Sequence, residues 1–161
     1  MAEEHKSKTR IKQEMKELQL LGKRLVELQP ERLAALPLDD PLREAIVLAQ
    51  GIRAHGGRKR QIKYIGKLLR SRDTTAILQA LDSWREEKRR AAAMFRRVER
   101  WRDRLLEEGD KALEELCDQF PHAERQPIRT LIRNARREAG AGHPPVAARA
   151  LFRHLRELME P

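Results

Sequence analysis

Between Gly56 and Asp73 the sequence reads GGRKRQIKYIGKLLRSRD, seven Lys or Arg with no acid before the closing Asp73. Side chains of this kind suit one chemistry above others: they hold phosphate by charge and by N–H donation, releasing condensed counterions as they do so. Their use depends on where they point. At about 100° per residue along a helix, Ile62, Ile65 and Leu69 set an inner face. Lys59, Arg60, Lys63, Lys67 and Arg70 then share one adjoining arc of about 100°, continuous with Arg58 in the same basic run. The pattern recurs after Pro127, where Ile128, Leu131, Ile132 and Ala135 face inward and Arg129, Arg133, Arg136 and Arg137 share an arc. In the last helical stretch Leu151, Phe152, Leu155 and Leu158 face inward, and Arg149, Arg153 and Arg156 form one face.

Like charges at i and i+4 cost a few tenths of a kcal/mol each, so a face that merely meets solvent is expected to mix signs. The stripes lack acids, whereas DSWREEKRRAAA and ERWRDRLLEE, between Asp82 and Glu108, mix them freely. A polyanion relieves the repulsion along such stripes, and a phosphate backbone is the reading they favour over a solvated face. Single-strand readers stack bases on exposed aromatics. Here Tyr64 alone flanks a stripe, while Trp84 and Phe95 fall on an apolar seam, which favours a large folded RNA gripped by backbone and shape. A helical DNA-binding or recombination modulator competes with this reading, although no helix arrays Asn, Gln and Arg for base edges. A protein-interaction module is the other alternative.

Other chemistry lacks its residues. His5, His55, His122, His143 and His154 are scattered, with no HExxH and no pair at metal-ligand spacing. Gly66 and Lys67 imitate the end of a P-loop, but that pattern needs Gly at position 61 and Ser or Thr at 68, where the chain has Gln61 and Leu68. The paired acids Glu86 and Glu87, Glu107 and Glu108, and Glu114 and Glu115 have nothing beside them to raise a pKa. Cys117 has no partner cysteine and reads as a small core residue. The expectation is a protein that is not an enzyme and takes no cofactor, metal or small-molecule substrate.

The elements that must position the stripes are helices. Aromatics make up 4% of the 161 residues, and Leu, Ala, Arg, Glu and Lys dominate, which predicts an all-α protein. The net charge of +10 points to a polyanionic partner. No apolar run approaches a membrane span and the N-terminus lacks a secretion signal, so a soluble cytoplasmic protein is expected.

Ile11, Met15, Leu18, Leu21, Leu25 and Leu28 step by three or four and predict a helix ending near Pro30. A helical turn carrying Leu33 and Leu36 follows, then a helix capped by Asp39 or Asp40 that stops at the HGG of residues 55–57, then the basic helix. From Thr75 to Glu108 the seam of Ile77, Leu81, Trp84, Lys88, Ala91, Phe95, Val98, Arg102 and Leu105 predicts one helix. Its 34 residues without Gly or Pro would span roughly 50 Å; two helices broken in the polar REEKRRAAA are the alternative.

Beyond Gly109 the earlier pattern returns at a constant offset: Pro41 with Pro127, Arg43 with Arg129, Ile46 with Ile132, Ala49 with Ala135, Gly56 with Gly142, Ile65 with Leu151, Leu69 with Leu155. Two similar lobes of about three helices each are expected, over residues 1–73 and 109–161, joined by a spine helix over 74–108.

Together LPLDDPLREAIVLAQ, GGRKRQIKYIGKLLRSRD, RDRLLEEGDKAL, IRTLIRNAR and HPPVAARALFRHLREL resemble the YjgA or DarP family of bacterial ribosome-associated proteins, from about Lys8 to Leu158. The resemblance implies a dual-lobed helical protein that associates with late precursors of the large (50S) ribosomal subunit through 23S rRNA. It implies help in maturation, including the peptidyl-transferase region, and no catalytic residues. On this chain the family's basic segments fall on Arg58, Lys59, Arg60, Lys67, Arg70, Arg129, Arg133, Arg136 and Arg137. The free protein is expected to be a monomer. Family members often carry an acidic N-terminal extension that this sequence does not show, and no role for it is carried over.

Overall fold

The computed structural model describes residues 7–160. These form eight helices and no strand: α1 (Lys8–Val26), α2 (Pro30–Ala34), α3 (Asp40–Gly51), α4 (His55–Arg70), α5 (Thr75–Glu108), α6 (Asp110–Gln119), α7 (Arg125–Gly140) and α8 (Val146–Met159). Local chemistry sets most of the boundaries. The Ser7 hydroxyl accepts the Arg10 N–H at 3.2 Å, and the Asp39 carboxylate accepts that of Leu42 at 3.2 Å, each satisfying an orphan donor of a first turn. Pro30 and Pro41 stand in the first turns of α2 and α3, where a missing N–H costs nothing. Asp73 accepts the Thr75 N–H at 2.9 Å and opens α5, which runs unbroken for 34 residues through REEKRRAAA.

One boundary differs from the sequence expectation. HGG does not stop α3; it forms the first turn of α4, and the break falls at residues 52–54. Ile52 leaves the helix with extended backbone, and its side chain lies against Gly57, where a Cβ would come within 3.1 Å of Ile52 Cγ2. The glycine is a packing device between the two chain segments.

The chain divides into two compact units, Met1–Trp84 and Arg85–Pro161. In the first, Leu25, Ile46, Ala49, Ile65 and Leu69 are fully buried and Leu42, Ile77 and Leu81 nearly so. Two glycines bring α1 and α4 together: a Cβ on Gly22 would lie 3.0 Å from Ile65 Cγ2, and one on Gly66 would lie 3.3 Å from the Gln19 backbone nitrogen. Helix spacing follows the size of the side chains at the contact, so these two positions set the spacing of the basic helix from α1.

Side chains close the backbone groups left open at the turns. Arg43 donates to the carbonyls of Leu33 and Leu36 at 3.1 and 3.2 Å, and Gln50 to those of Val26 and Leu28 at 3.3 and 3.0 Å. Arg72 reaches the Asp39 carboxylate at 2.7 Å and, with the Leu42 N–H, holds that group below the ordinary carboxylate range. Because the folded pKa is depressed, the tie is intact above the unfolded value and is lost only as pH falls through the folded one.

The second unit buries Val98, Leu105, Leu113, Leu116, Ile128, Leu151 and Leu155 completely, with Trp101 at their edge. Gly109 turns α5 into α6 with φ of +65°, a conformation that a Cβ penalises. Arg104 binds Glu108 of its own helix at 2.8 Å and Glu115 of α6 at 2.7 Å, holding the turn from outside. Glu138 of α7 accepts the Ala147 N–H at 2.9 Å and so caps the start of α8.

Four of the offset pairs seen in the sequence, Ile46 and Ile132, Ala49 and Ala135, Ile65 and Leu151, Leu69 and Leu155, are buried in their respective units. The glycine pair differs. Gly142 sits in a turn with φ of +67°, whereas Gly56 is helical.

Candidate nucleic-acid interface

Arg58, Lys59, Arg60, Lys63, Lys67 and Arg70 all lie on α4, whose inner face is committed to the core through Ile65 and Leu69. Five are exposed and Arg58 is half-buried. None of the six forms an ion pair or a side-chain hydrogen bond with a described residue. The cause is compositional: α4 contains no acid. Arg58, Lys59 and Lys63, with His55, form one wall of a groove of about 490 Å³ against α1. Lys16 and Lys23 stand on the opposite wall, exposed Leu20 lies between, and Glu27 is its sole acid. Lys23 and Glu27 approach only to 3.9 Å. A concave surface carrying this excess of one sign focuses an attractive field on an anionic strand.

The α7 arc is used differently. Arg129 pairs with Asp110 at 2.8 Å. Arg136 donates to the carbonyls of Leu106 and Glu107 at 2.8 and 3.1 Å, closing the C-terminus of α5 where orphan acceptors and the helix dipole favour a cation. Arg137 leans on Asn134 at 3.4 Å, and Arg133 is exposed without a partner among the described residues. Arg129, Arg133 and Arg136 line one shallow recess of about 200 Å³. Arg136→Ala is therefore expected to lower the melting temperature by about 2–5 °C, whereas Arg133→Ala leaves it unchanged and weakens only anion binding. Equal melting curves for the two variants would contradict the capping role.

On α8, Arg149 and Arg153 are exposed and unpaired among the described residues, while Arg156 is engaged by Glu160 at 2.8 Å. Arg149 and Arg153 line a groove of about 660 Å³ that also contains Phe95, Arg102 and Phe152. Phe95 corrects a sequence expectation. It is 53% exposed and not on the buried seam, because Val98, Trp101 and Leu105 turn the inner face of α5 away from it. Trp84 stays half-buried, with the Arg32 guanidinium 4.7 Å from its ring centroid.

Two features escaped sequence reading. Lys16 and Lys23 were legible as a stripe: with Lys12 they recur at steps of four and seven, one flank of a helix, but Glu14 and Glu17 on the neighbouring flank hide it in a linear scan. The exposure of Phe95 had no such signal, since a residue on the shoulder of an apolar seam fits either side.

No group of three or more His, Cys, Asp or Glu among the described residues could hold a metal ion. His122 lies 3.3 Å from the Leu158 carbonyl, Cys117 is half-buried against the second core, and His5 lies outside the described residues. Gly66, the P-loop imitation, is explained by its contact with α1. No described helix is long and apolar enough to cross a membrane.

Comparison with known proteins bears on the whole chain. The family model of the dual-action ribosomal maturation protein DarP matches residues 4–156. Proteins of that name are 48% identical in Idiomarina loihiensis, over 95% of this chain and 90% of the relative, and 44% identical in Nitrosomonas europaea, over 98% and 88%. Another, from Cronobacter sakazakii, is 47% identical over 96% of this chain and 84% of its own length. With matches of this extent running through both units and all three basic helices, the chain belongs to the DarP family of dual-action ribosomal maturation proteins.

Proposed function

We propose that this protein is a non-enzymatic ribosome biogenesis factor of the cytoplasm. It binds late precursors of the large subunit through 23S rRNA and promotes their maturation, including the peptidyl-transferase region. The observation that carries the reading is the contrast in charge use. Along α5 acids stand among the cations and pair with several of them, Arg89 and Arg90 with Glu86 at 2.6 and 3.5 Å and Arg104 with Glu108 at 2.8 Å, while Lys88, Arg96 and Arg100 stay free among the described residues. On α4, which has no acid at all, none of the six cations has a partner among the described residues.

A helix that leaves six like charges unrelieved is stabilised when phosphates approach it, and counterion release drives the association. Arg133, Arg149 and Arg153 extend the anionic footprint to the second unit, whereas Arg129, Arg136 and Arg137 divide their donors between the fold and the ligand. Binding energy, not turnover, does the work: phosphates that must approach one another in a folding rRNA are neutralised until the mature contacts replace the protein. The free protein acts as a monomer, with no cofactor or small-molecule substrate.

Gradient fractionation of cell lysate tests this. The protein is expected to co-migrate with large-subunit precursors at low salt and to leave them as salt rises. Its presence at the top of the gradient in both conditions would exclude the assembly-factor reading. Equal affinity of the purified protein for duplex DNA and rRNA would favour a DNA-binding role instead.

A further inference from the structure

Phe95 of α5 and Phe152 of α8 pack ring to ring, centroids 5.1 Å apart and planes tilted by 54°. Phe95 nevertheless leaves half its surface to solvent. Half-exposed beside a second ring, it offers a face to a partner, and the surroundings indicate which partner. Arg149 and Arg153 line the same groove with no partner among the described residues. Arg102 lies 5.9 Å from the Phe152 ring centroid and pairs with Asp103, the groove's sole acid, at 2.7 Å. The Asp103 charge is thereby cancelled, and the two α8 arginines leave the groove net positive. An apolar partner would strand both guanidinium groups, and a simple phosphate would leave the ring bare. An unpaired nucleobase with its flanking phosphates satisfies both at once, since the ring takes the base face and the arginines take the backbone.

We propose that the groove between α5 and α8 captures a single unpaired base of RNA, stacked on Phe95 and held by Arg149 and Arg153. This rests on the RNA-binding reading and adds to it a preference for a bulged or extruded nucleotide over a continuous duplex. The chemistry is sequence-tolerant, because every base presents a π face. The α4 surface binds backbone, and this groove selects where along a folded RNA the second unit sits.

The test compares two RNA hairpins of equal length, one fully paired and one with a single bulged 2-aminopurine, titrated against the full chain and against Phe95→Leu and Phe95→Tyr. The bulged hairpin is expected to bind about tenfold more tightly, with quenching of the 2-aminopurine fluorescence on stacking. Phe95→Leu, which keeps an apolar side chain but no π face, is expected to abolish both the preference and the quenching while leaving the fully paired hairpin unaffected. Phe95→Tyr is expected to retain both. Equal affinity for the two hairpins, or a preference that survives Phe95→Leu, would overturn the stacking site while leaving salt-dependent backbone binding in place. Failure of the native chain to bind either hairpin would remove the RNA-binding reading and the stacking site together.

Discussion

Replacing Lys59, Lys63 and Lys67 together by alanine is expected to weaken the proposed binding to 23S rRNA about a hundredfold at physiological salt. It should also lower the slope of log affinity against log salt by about 3. The magnitude follows from counterion release: each phosphate contact contributes a slope of roughly 0.9, which near 0.15 M salt amounts to about fivefold in affinity. These three residues are chosen because all are exposed and none has a partner among the described residues, so the described fold does not depend on them. Thermal unfolding should stay within about 0.5 kcal/mol of the native chain. A titration across several salt concentrations checks the claim, and an unchanged slope with unchanged affinity would mean that α4 does not touch phosphate. Replacing Arg104, Arg129 and Arg136 instead would confound the result, because all three bind groups of the fold itself.

The second large effect concerns the cores. Leu69 and Leu155 occupy equivalent places in the offset pattern and both are fully buried, one in each unit. Truncation of either to alanine is expected to cost about 2–5 kcal/mol, the lost transfer energy plus the cavity. That is a large part of the stability of a small domain. The loss should be local. Leu69→Ala is expected to accelerate amide exchange in α1, α3 and α4, and Leu155→Ala in α6, α7 and α8, because each side chain contacts only its own cluster. Exchange that accelerated uniformly over the chain in both variants would show that the two cores unfold as one.

The two expectations separate functions that the sequence interleaves. Within α4, Ile65 and Leu69 hold the unit together while Lys59, Lys63 and Lys67, interleaved with them, bind no described residue. A charge change and a core change on the same helix should therefore have unrelated consequences, one read in affinity and the other in stability.

The sequence by itself determined the helical class and the inner faces of α4, α7 and α8, narrowed the cap of α3 to Asp39 or Asp40, and favoured an unbroken α5 over two helices. Each depends on local propensity, capping chemistry or a 3.6-residue period, all written within a few turns of chain. It also showed that α4 has no acid of its own to neutralise its cations, whereas packing decided that no other described element supplies one, as Asp110 does for Arg129. Tertiary structure decided the rest. Whether Arg136 faces a ligand or closes α5 depends on carbonyls thirty residues away at the Gly109 turn. Whether Lys16 and Lys23 join the basic surface depends on how closely Gly22 and Gly66 let α1 approach α4. Whether Phe95 is core or surface depends on which shoulder of α5 the opposing α8 covers. A helical period fixes directions around one axis, but a contact needs the second axis too, and that is supplied only when the helices pack.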